Sequence, residues 1–109
     1  MVAVVAGQDG DVVVGFASAG PPAAGTSEPD GSAPPRERQL QAIYVRARLH
    51  GTGVADRLME SSLGTGPAHL WVFEENPRAR AFYARHGFTP DGARALDDWT
   101  GAPEVRLVR

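Results

Sequence analysis

The chain has 109 residues, of which 42% are hydrophobic, and its 11 basic and 13 acidic side chains give a formal net charge of −2. This size and composition indicate one small soluble globular domain with a single core. The basic residues are all arginines spread along the chain, and cysteine is absent, which excludes a nucleic-acid patch, disulfides and zinc–thiolate sites. We find no signal peptide and no membrane-spanning run, and therefore predict a cytoplasmic protein without nucleic-acid or membrane partners.

Two short β-branched segments open the chain and indicate a β-hairpin. The first runs from Val2 to Ala6, the second covers residues 12–19, and the Asp9-Gly10 pair between them is a turn signal. Residues 20–38 are rich in Pro, Gly, Ala and Ser and show no apolar periodicity. We predict a flexible loop there, and it is unusually long for a small domain.

A strand followed by a helix is predicted next. The segment LQAIYV, from Leu40 to Val45, has apolar residues on both faces, as a buried strand has. A helix should begin near Val54 and end before the Gly-Thr-Gly-Pro segment at residues 64–67. Its apolar face is predicted from one-face spacing and consists of Val54, Leu58, Met59, Ser62 and Leu63.

The second half of the chain begins with a predicted strand, HLWVF, at residues 69–73. Asn76 followed by proline is typical of a helix start, and Gly87 suits the left-handed residue that ends a helix. Two further short strands are predicted at residues 93–96 and 104–108. Because a strand–helix–strand crossover lies between hairpins, we predict an α/β (α+β) fold with a mixed sheet.

The segment RLHGTGVADRLM, residues 48–59, places two glycines directly before the first predicted helix. Bare backbone N–H groups at a helix N-terminus, reinforced by the helix dipole, bind anions such as phosphates. A nucleoside-triphosphate loop needs a lysine, and the chain has none. A dinucleotide fingerprint that starts at Gly51 puts the charged Asp56 where the helix must touch the sheet. Both of these ligand classes are therefore excluded.

The glycine turn resembles the pyrophosphate loop of GNAT acetyltransferases, Q/R-x-x-G-x-G/A, whose ligand is acetyl-coenzyme A (acetyl-CoA). In the frame that starts at His50, the pattern matches at Gly53 and Ala55, and histidine replaces Gln or Arg. A frame that starts at Arg48 matches in full but displaces the apolar helix face by two residues. We prefer the His50 frame, because histidine in either protonation state can donate to phosphate.

A second segment, NPRARAFYARHGF, is similar to the family pattern N-x-x-A-x-x-F/Y-Y-x-x-x-G-F, and it follows the loop in the family's order. The matching residues are Asn76, Ala79, Phe82, Tyr83, Gly87 and Phe88. The resemblance covers residues 1–109 and implies the GNAT fold. GNAT domains begin with a strand and two helices before the first hairpin, so we expect a partial domain that lacks them. A misplaced start codon and a truncated gene are the two explanations considered.

The resemblance implies an N-acetyltransferase that moves acetyl from its cosubstrate acetyl-CoA to a primary amine by direct attack, without a metal. The amine acceptor is not identified, and a homodimer is left open. Tyr83 stands where the family carries the general acid for the departing thiolate, although the same pattern is typical of a core tyrosine. The implied contacts with acetyl-CoA come from Ile43, Tyr44, Val45, His50, Gly51, Thr52, Gly53, Val54, Ala55, Asp56 and Asn76.

The general base is not assigned by the sequence. Some peptide-acetylating relatives carry a glutamate at the position of Trp71, and Glu74 and Glu75 are the candidates here. Two alternative functions are kept. One is a truncated, non-catalytic GNAT remnant that needs a partner or an N-terminal segment. The other is a CoA-binding module whose contact surface is the loop at residues 20–38.

Overall fold

The structure, a computed structural model, describes residues 2–6, 13–22, 28–46 and 50–109, which form six strands and two helices. The predicted Asp9-Gly10 turn, Arg48 and part of the predicted loop lie outside the described residues. The chain divides into two compact units. The first comprises Met1–Pro21 and Arg38–Gly66, and the second comprises Pro22–Glu37 and Pro67–Arg109.

The first unit contains three antiparallel strands and one helix. Its strands are β1 (Val2–Ala6), β2 (Val13–Gly20) and β3 (Gln39–Val45), and β2 pairs with both of the others. Helix α1 (Val54–Leu63) begins where the sequence predicts. The predicted apolar face is confirmed, because the buried residues of α1 are Val54, Leu58, Met59, Ser62 and Leu63.

Apolar packing holds the start of α1 against the strands of the first unit. The cluster consists of the buried Ala17, Val54 and Leu58, with Ile43 and Val45 packed against it. A Cβ on Gly15 would lie 2.9 Å from the Tyr44 carbonyl oxygen and 3.1 Å from a methyl group of Leu58. Only a glycine at this position of β2 therefore allows the helix to approach so closely. The first turn of α1 is fixed relative to β3 as a result.

The second unit contains three more antiparallel strands and the second helix. Strands β4 (His69–Phe73) and β5 (Thr89–Leu96) both pair with β6 (Pro103–Val108). Helix α2 (Pro77–Arg85) lies between β4 and β5 in the chain. Within the described part of the chain, neither helix has the length and apolar character needed to cross a bilayer.

The ends of α2 follow the sequence prediction, whereas β5 is longer than predicted. Proline opens α2 directly after Asn76, and Gly87 adopts a positive φ of 86° just past the helix end. Strand β5 begins at Thr89 instead of residue 93. Its first part contains Pro90 and Gly92, and its pairing with β6 is irregular before Arg94, as at a bulge. Such a segment does not have the alternation by which a strand is recognised.

Candidate functional site

The glycine turn lies immediately before α1. Gly51 and Gly53 have φ angles of 81° and 87°, which glycine adopts without strain. A Cβ added to either residue would meet no atom within 4 Å. Packing therefore does not demand glycine here. The left-handed backbone favours it, and neither glycine carries a side chain that could cover the neighbouring N–H groups.

Helix α1 begins without a side-chain cap. Its N-cap residue is Gly53, whose carbonyl accepts from the Arg57 N–H at 3.1 Å. The N–H groups of the first turn of a helix have no acceptors within the helix. Asp56 is the acidic residue of this turn. The arrangement suits an anion with several oxygens, such as a pyrophosphate, because the donors and the helix dipole act in the same direction.

His50 connects the glycine turn to the preceding strand. Its Nε2 lies 3.0 Å from the main-chain carbonyl oxygen of Val45, the last residue of β3. The structure thus brings the turn, the start of α1 and the end of β3 together within the first unit. Tyr44 is 56% exposed, and its ring contacts that of Phe16 at 6.0 Å between centroids. That contact is ordinary cross-strand packing and gives no evidence for a ligand. Main-chain binding of acetyl-CoA by Ile43, Tyr44 and Val45 stays a prediction.

Helix α2 begins with a closed cap. Oδ1 of Asn76 accepts a hydrogen bond from the Ala79 N–H at 3.1 Å. The Asn76 carbonyl accepts from the Arg80 N–H at 3.0 Å, which is the first bond of the helix. The predicted N-cap role of Asn76 is confirmed by this geometry. Its predicted contact with a ligand stays a prediction, and the side-chain amide N–H groups are the donors for it.

Tyr83 lies on the buried face of α2, with 8% of its surface exposed. Its ring meets Phe82 and Phe88 edge-to-face, with centroids 5.5 Å and 6.1 Å away. Burial raises the pKa of the Tyr83 hydroxyl above the ordinary tyrosine value. The phenol therefore remains protonated throughout the neutral range and keeps its hydrogen-bond donor.

A protein-family model identifies the family to which this chain belongs. The family model described as acetyltransferase (GNAT) domain matches residues 2–90. The chain belongs to the GNAT acetyltransferase family. Its resemblance in the glycine turn and in the α2 segment is thereby confirmed at the level of the family, while the roles of single residues remain predictions.

Curated relatives of this GNAT chain are named as N-acetyltransferases. An uncharacterized N-acetyltransferase of Mycobacterium tuberculosis is 38% identical over 67 residues, which are 56% of this chain and 43% of the relative. A probable N-acetyltransferase of the same species is 34% identical over 61 residues, covering 53% of this chain and 35% of the relative. The matched region therefore spans less than half the length of these relatives.

Solved structures confirm the GNAT fold. Nourseothricin acetyltransferase superposes with a TM-score of 0.68 at 23% identity, over 98% of this chain and 62% of its own. Arabidopsis thaliana NAA60 in complex with acetyl-CoA gives a TM-score of 0.69 at 16% identity, over 94% and 68%. At these identities, the likeness establishes the fold alone.

The three residues considered in connection with a GNAT general base have different surroundings. Trp71 on β4 donates its indole N–H to Glu28 at 3.0 Å. Glu74 accepts from Nε and an Nη of Arg94 at 3.1 and 2.9 Å, so its carboxylate is engaged. Glu75 is exposed. The described residues hold no group of three His, Asp or Glu side chains placed for a metal ion. Neither a base nor the predicted absence of a metal is established by these contacts.

The second unit contains a buried polar network that the sequence does not predict. The Glu28 carboxylate, in a residue only 6% exposed, lies 2.9 Å from Nε2 of the fully buried His69 and 3.7 Å from an Nη of Arg106. Arg106 also contacts Asp91 at 2.6 Å and Ser32 at 3.1 Å. The network joins the described end of the predicted loop to β4 and β6. No local pattern reveals it, because its members come from distant segments.

Proposed function

We propose that the chain is the acetyl-CoA-binding part of an N-acetyltransferase, which transfers acetyl to a primary amine by direct attack. The observation that carries this proposal is the glycine turn at the start of α1. Gly51 and Gly53 both have left-handed backbone conformations, and a Cβ added to either residue would meet no atom within 4 Å. A pyrophosphate needs several N–H donors with close access to its oxygens, and this turn has the backbone to supply them.

Two segments of the first unit have proposed contacts with acetyl-CoA. The turn and first helical residues, from His50 to Asp56, hold the pyrophosphate through main-chain N–H groups and the side chains of His50 and Thr52. The main chain of Ile43, Tyr44 and Val45 holds the pantetheine arm. In the second unit, Asn76 adds a side-chain amide donor.

The proposed reaction is a direct transfer without a covalent enzyme intermediate. The neutral amine nitrogen attacks the thioester carbonyl carbon, the C–S bond breaks, and the thiolate leaves while the new amide loses a proton to a base. Tyr83 donates its hydroxyl proton, first as a hydrogen bond, to the departing sulfur. Burial raises the pKa of Tyr83, which preserves the donor but makes full proton transfer to a thiolate less favourable. Hydrogen-bond donation during C–S cleavage is therefore the larger part of its role.

The similar proteins support the reaction class but not the acceptor. The curated relatives are named N-acetyltransferases, and one solved neighbour is a complex with acetyl-CoA. From these names, together with the geometry of the glycine turn, we infer that acetyl-CoA is the cosubstrate and that the acceptor is a primary amine. The acceptor itself, a cytoplasmic location, a homodimer and the absence of membrane or nucleic-acid partners stay predictions.

Isothermal titration calorimetry of acetyl-CoA into the 109-residue chain tests the proposal. Gly53→Glu places a carboxylate in the proposed phosphate site and should abolish saturable binding. Gly64→Glu is the matched control, because Gly64 ends the same helix, has a positive φ of 71°, and would bring an added Cβ within 4 Å of no other atom. We expect the control to bind as the wild type does. Equal binding by Gly53→Glu would remove the turn from the site.

Activity separates the enzyme from its two rivals. A chain that binds acetyl-CoA and acetylates no amine in a broad acceptor panel supports the non-catalytic remnant or the CoA-binding module. The module in addition requires a partner whose binding is lost when the loop at residues 20–38 is shortened. Turnover with any primary amine, abolished together with binding by Gly53→Glu, supports the acetyltransferase.

A further inference from the structure

A short turn in the second unit brings a carboxylate to the sheet. Residues 28–32 close on themselves, because the Glu28 N–H donates to the Ser32 carbonyl at 2.9 Å and the Gly31 N–H donates to the Glu28 carbonyl at 2.7 Å. The turn is therefore held in shape by its own main-chain bonds. It forms the start of residues 28–37, which we call the strap and which belong to the second unit.

The carboxylate of Glu28 is buried against three polar side chains of the sheet. Its Oε1 accepts from the Trp71 indole N–H at 3.0 Å, and it lies 2.9 Å from Nε2 of His69 and 3.7 Å from an Nη of Arg106. Glu28 is only 6% exposed, and His69 is fully buried. A buried carboxylate loses its hydration, so it needs donors and a cation around it. Trp71 supplies a donor and Arg106 supplies the cation.

The positions of these three side chains are set by β4 and β6. His69 and Trp71 are two residues apart on β4 and so face the same side of the sheet. Arg106 lies directly opposite Trp71 in the antiparallel register, and its guanidinium carbon is 5.6 Å from the centroid of the indole ring. Asp91 holds the same guanidinium in an ion pair of 2.6 Å. We therefore expect the three side chains to stay together when Glu28 is removed.

We propose that these three side chains of β4 and β6 form a carboxylate-binding site, which the strap fills with its own Glu28. The site is closed to other ligands while the strap is in place. When the strap opens, the same donor and the same cation face a carboxylate of a ligand, which then competes with Glu28. The site lies in the second unit and does not depend on the proposed function of the glycine turn.

Removal of Glu28 and rescue by formate test the proposal. Formate is so small a carboxylate that it should bind no more tightly than about 1 mM, so it is titrated to about 100 mM at neutral pH against chloride of equal ionic strength. We expect Glu28→Ala to lower the melting temperature by at least about 5 °C, and formate to restore part of this loss saturably. The wild type and Glu60→Ala, which removes an exposed carboxylate from α1, should show no saturable gain over chloride.

Trypsin cleavage after Arg36, below the unfolding transition, measures the opening of the strap separately. Arg36 is tied within the second unit, because its Nε donates to the Arg109 carbonyl at 3.0 Å. In Glu28→Ala we expect cleavage there to be at least about tenfold faster than in the wild type. Formate should leave this rate high, because a free carboxylate fills the site without holding the strap. Recovery of protection together with thermal stability would contradict the role of Glu28 as the group that fastens the strap.

The remaining outcomes also decide the proposal. Equal effects of formate and chloride on folded Glu28→Ala overturn it, because the three side chains then bind no carboxylate. If Glu28→Ala is unfolded, refolding in formate but not in chloride supports it. If that variant stays unfolded in both salts, Glu28→Gln is decisive, since its amide oxygen keeps an acceptor for Trp71 and carries no charge. Formate should displace the amide and speed cleavage after Arg36, and a rate independent of formate overturns the proposal.

Discussion

The two helices of the described part of the chain begin in opposite ways. Helix α1 starts at a left-handed glycine, Gly53, which has no side chain with which to cap the first turn. Helix α2 starts at Asn76, whose Oδ1 accepts from the Ala79 N–H. In both, the N-cap carbonyl accepts the first helical bond, at 3.1 Å from Arg57 and 3.0 Å from Arg80. The first main-chain hydrogen bond is therefore the same in both helices. The helices differ in whether a side chain accepts from one of the first N–H groups.

This difference separates a structural helix start from one suited to a ligand. Asparagine at the N-cap uses one of the orphan N–H groups for stability. Glycine forgoes that stabilisation, and no side chain of the N-cap residue caps the first turn of α1. The dipoles of the two helices are equivalent in kind, so the dipole alone does not identify a site. The uncapped glycine start, in a chain of the GNAT family, is what directs the proposed phosphate contact to α1.

The largest effect is expected when Gly53 is changed to alanine, which adds only a methyl group to the uncapped start. The φ of 87° at Gly53 is unfavourable for a residue with a Cβ, so Gly53→Ala should lower the free energy of unfolding by about 1–2 kcal/mol. The methyl group should also weaken acetyl-CoA binding at least about tenfold, because phosphate oxygens must approach the backbone closely. Urea unfolding and calorimetry measure the two effects separately.

Gly64→Ala is the control for the loss of stability that backbone strain causes. Gly64 lies at the other end of α1 with φ of 71° and ψ of −148°, a region that strongly favours glycine. Its replacement should cost at least as much stability and leave the affinity of the folded chain for acetyl-CoA unchanged. If both alanine variants lose affinity equally, binding depends on the stability of α1 and not on the bare turn.

The next effect concerns the capped start. Asn76→Ala removes the acceptor for the Ala79 N–H and should lower the free energy of unfolding by about 1 kcal/mol. Asn76→Asp keeps the acceptor and should retain stability, while it replaces the amide donor with a carboxylate oxygen. If Asn76 also donates to acetyl-CoA, the aspartate variant should bind more weakly at unchanged stability. Equal affinity in the aspartate variant and the wild type would restrict Asn76 to its capping role.

Local patterns account for the elements on which both helix starts depend. The apolar face of α1 is predictable residue by residue, because one-face spacing and burial coincide there. The cap at Asn76 and the left-handed Gly87 follow from the side-chain chemistry of two residues. The start of β5 at Thr89 is not predictable, since proline and glycine obscure a pairing that β6 imposes. Strand ends of this kind are determined by the partner strand.

Some features of the candidate site can likewise be predicted from the sequence, and others cannot. The glycine turn is predictable from the sequence because its left-handed backbone favours glycine. The bond from His50 to Val45 is not visible, because which ring nitrogen faces a carbonyl depends on how the turn folds back. The Glu28 and His69 contact is hidden for a stronger reason, as it joins two segments that only the tertiary fold brings together. A buried carboxylate in a Pro- and Gly-rich segment has no sequence signature.

The smallest effect on stability, and the sharpest on chemistry, is expected for Tyr83→Phe. The ring contacts with Phe82 and Phe88 survive the change, so the free energy of unfolding at neutral pH should change by less than about 1 kcal/mol. Turnover by a chain with demonstrated activity should fall, while its affinity for acetyl-CoA should be retained. Unchanged turnover would remove Tyr83 as the acid and leave it as a core residue of α2.

The alkaline limb of stability provides an independent check on the buried hydroxyl. Because burial raises the pKa of Tyr83 in the folded chain, the unfolded tyrosine ionises first, near pH ~10. The stabilising contribution is complete below that pH and is lost as the pH rises through the higher folded value. Wild type should therefore lose stability relative to Tyr83→Phe above that pH. Parallel alkaline profiles would mean that the hydroxyl is solvated, which would also weaken its proposed role as a protonated donor beside a departing thiolate.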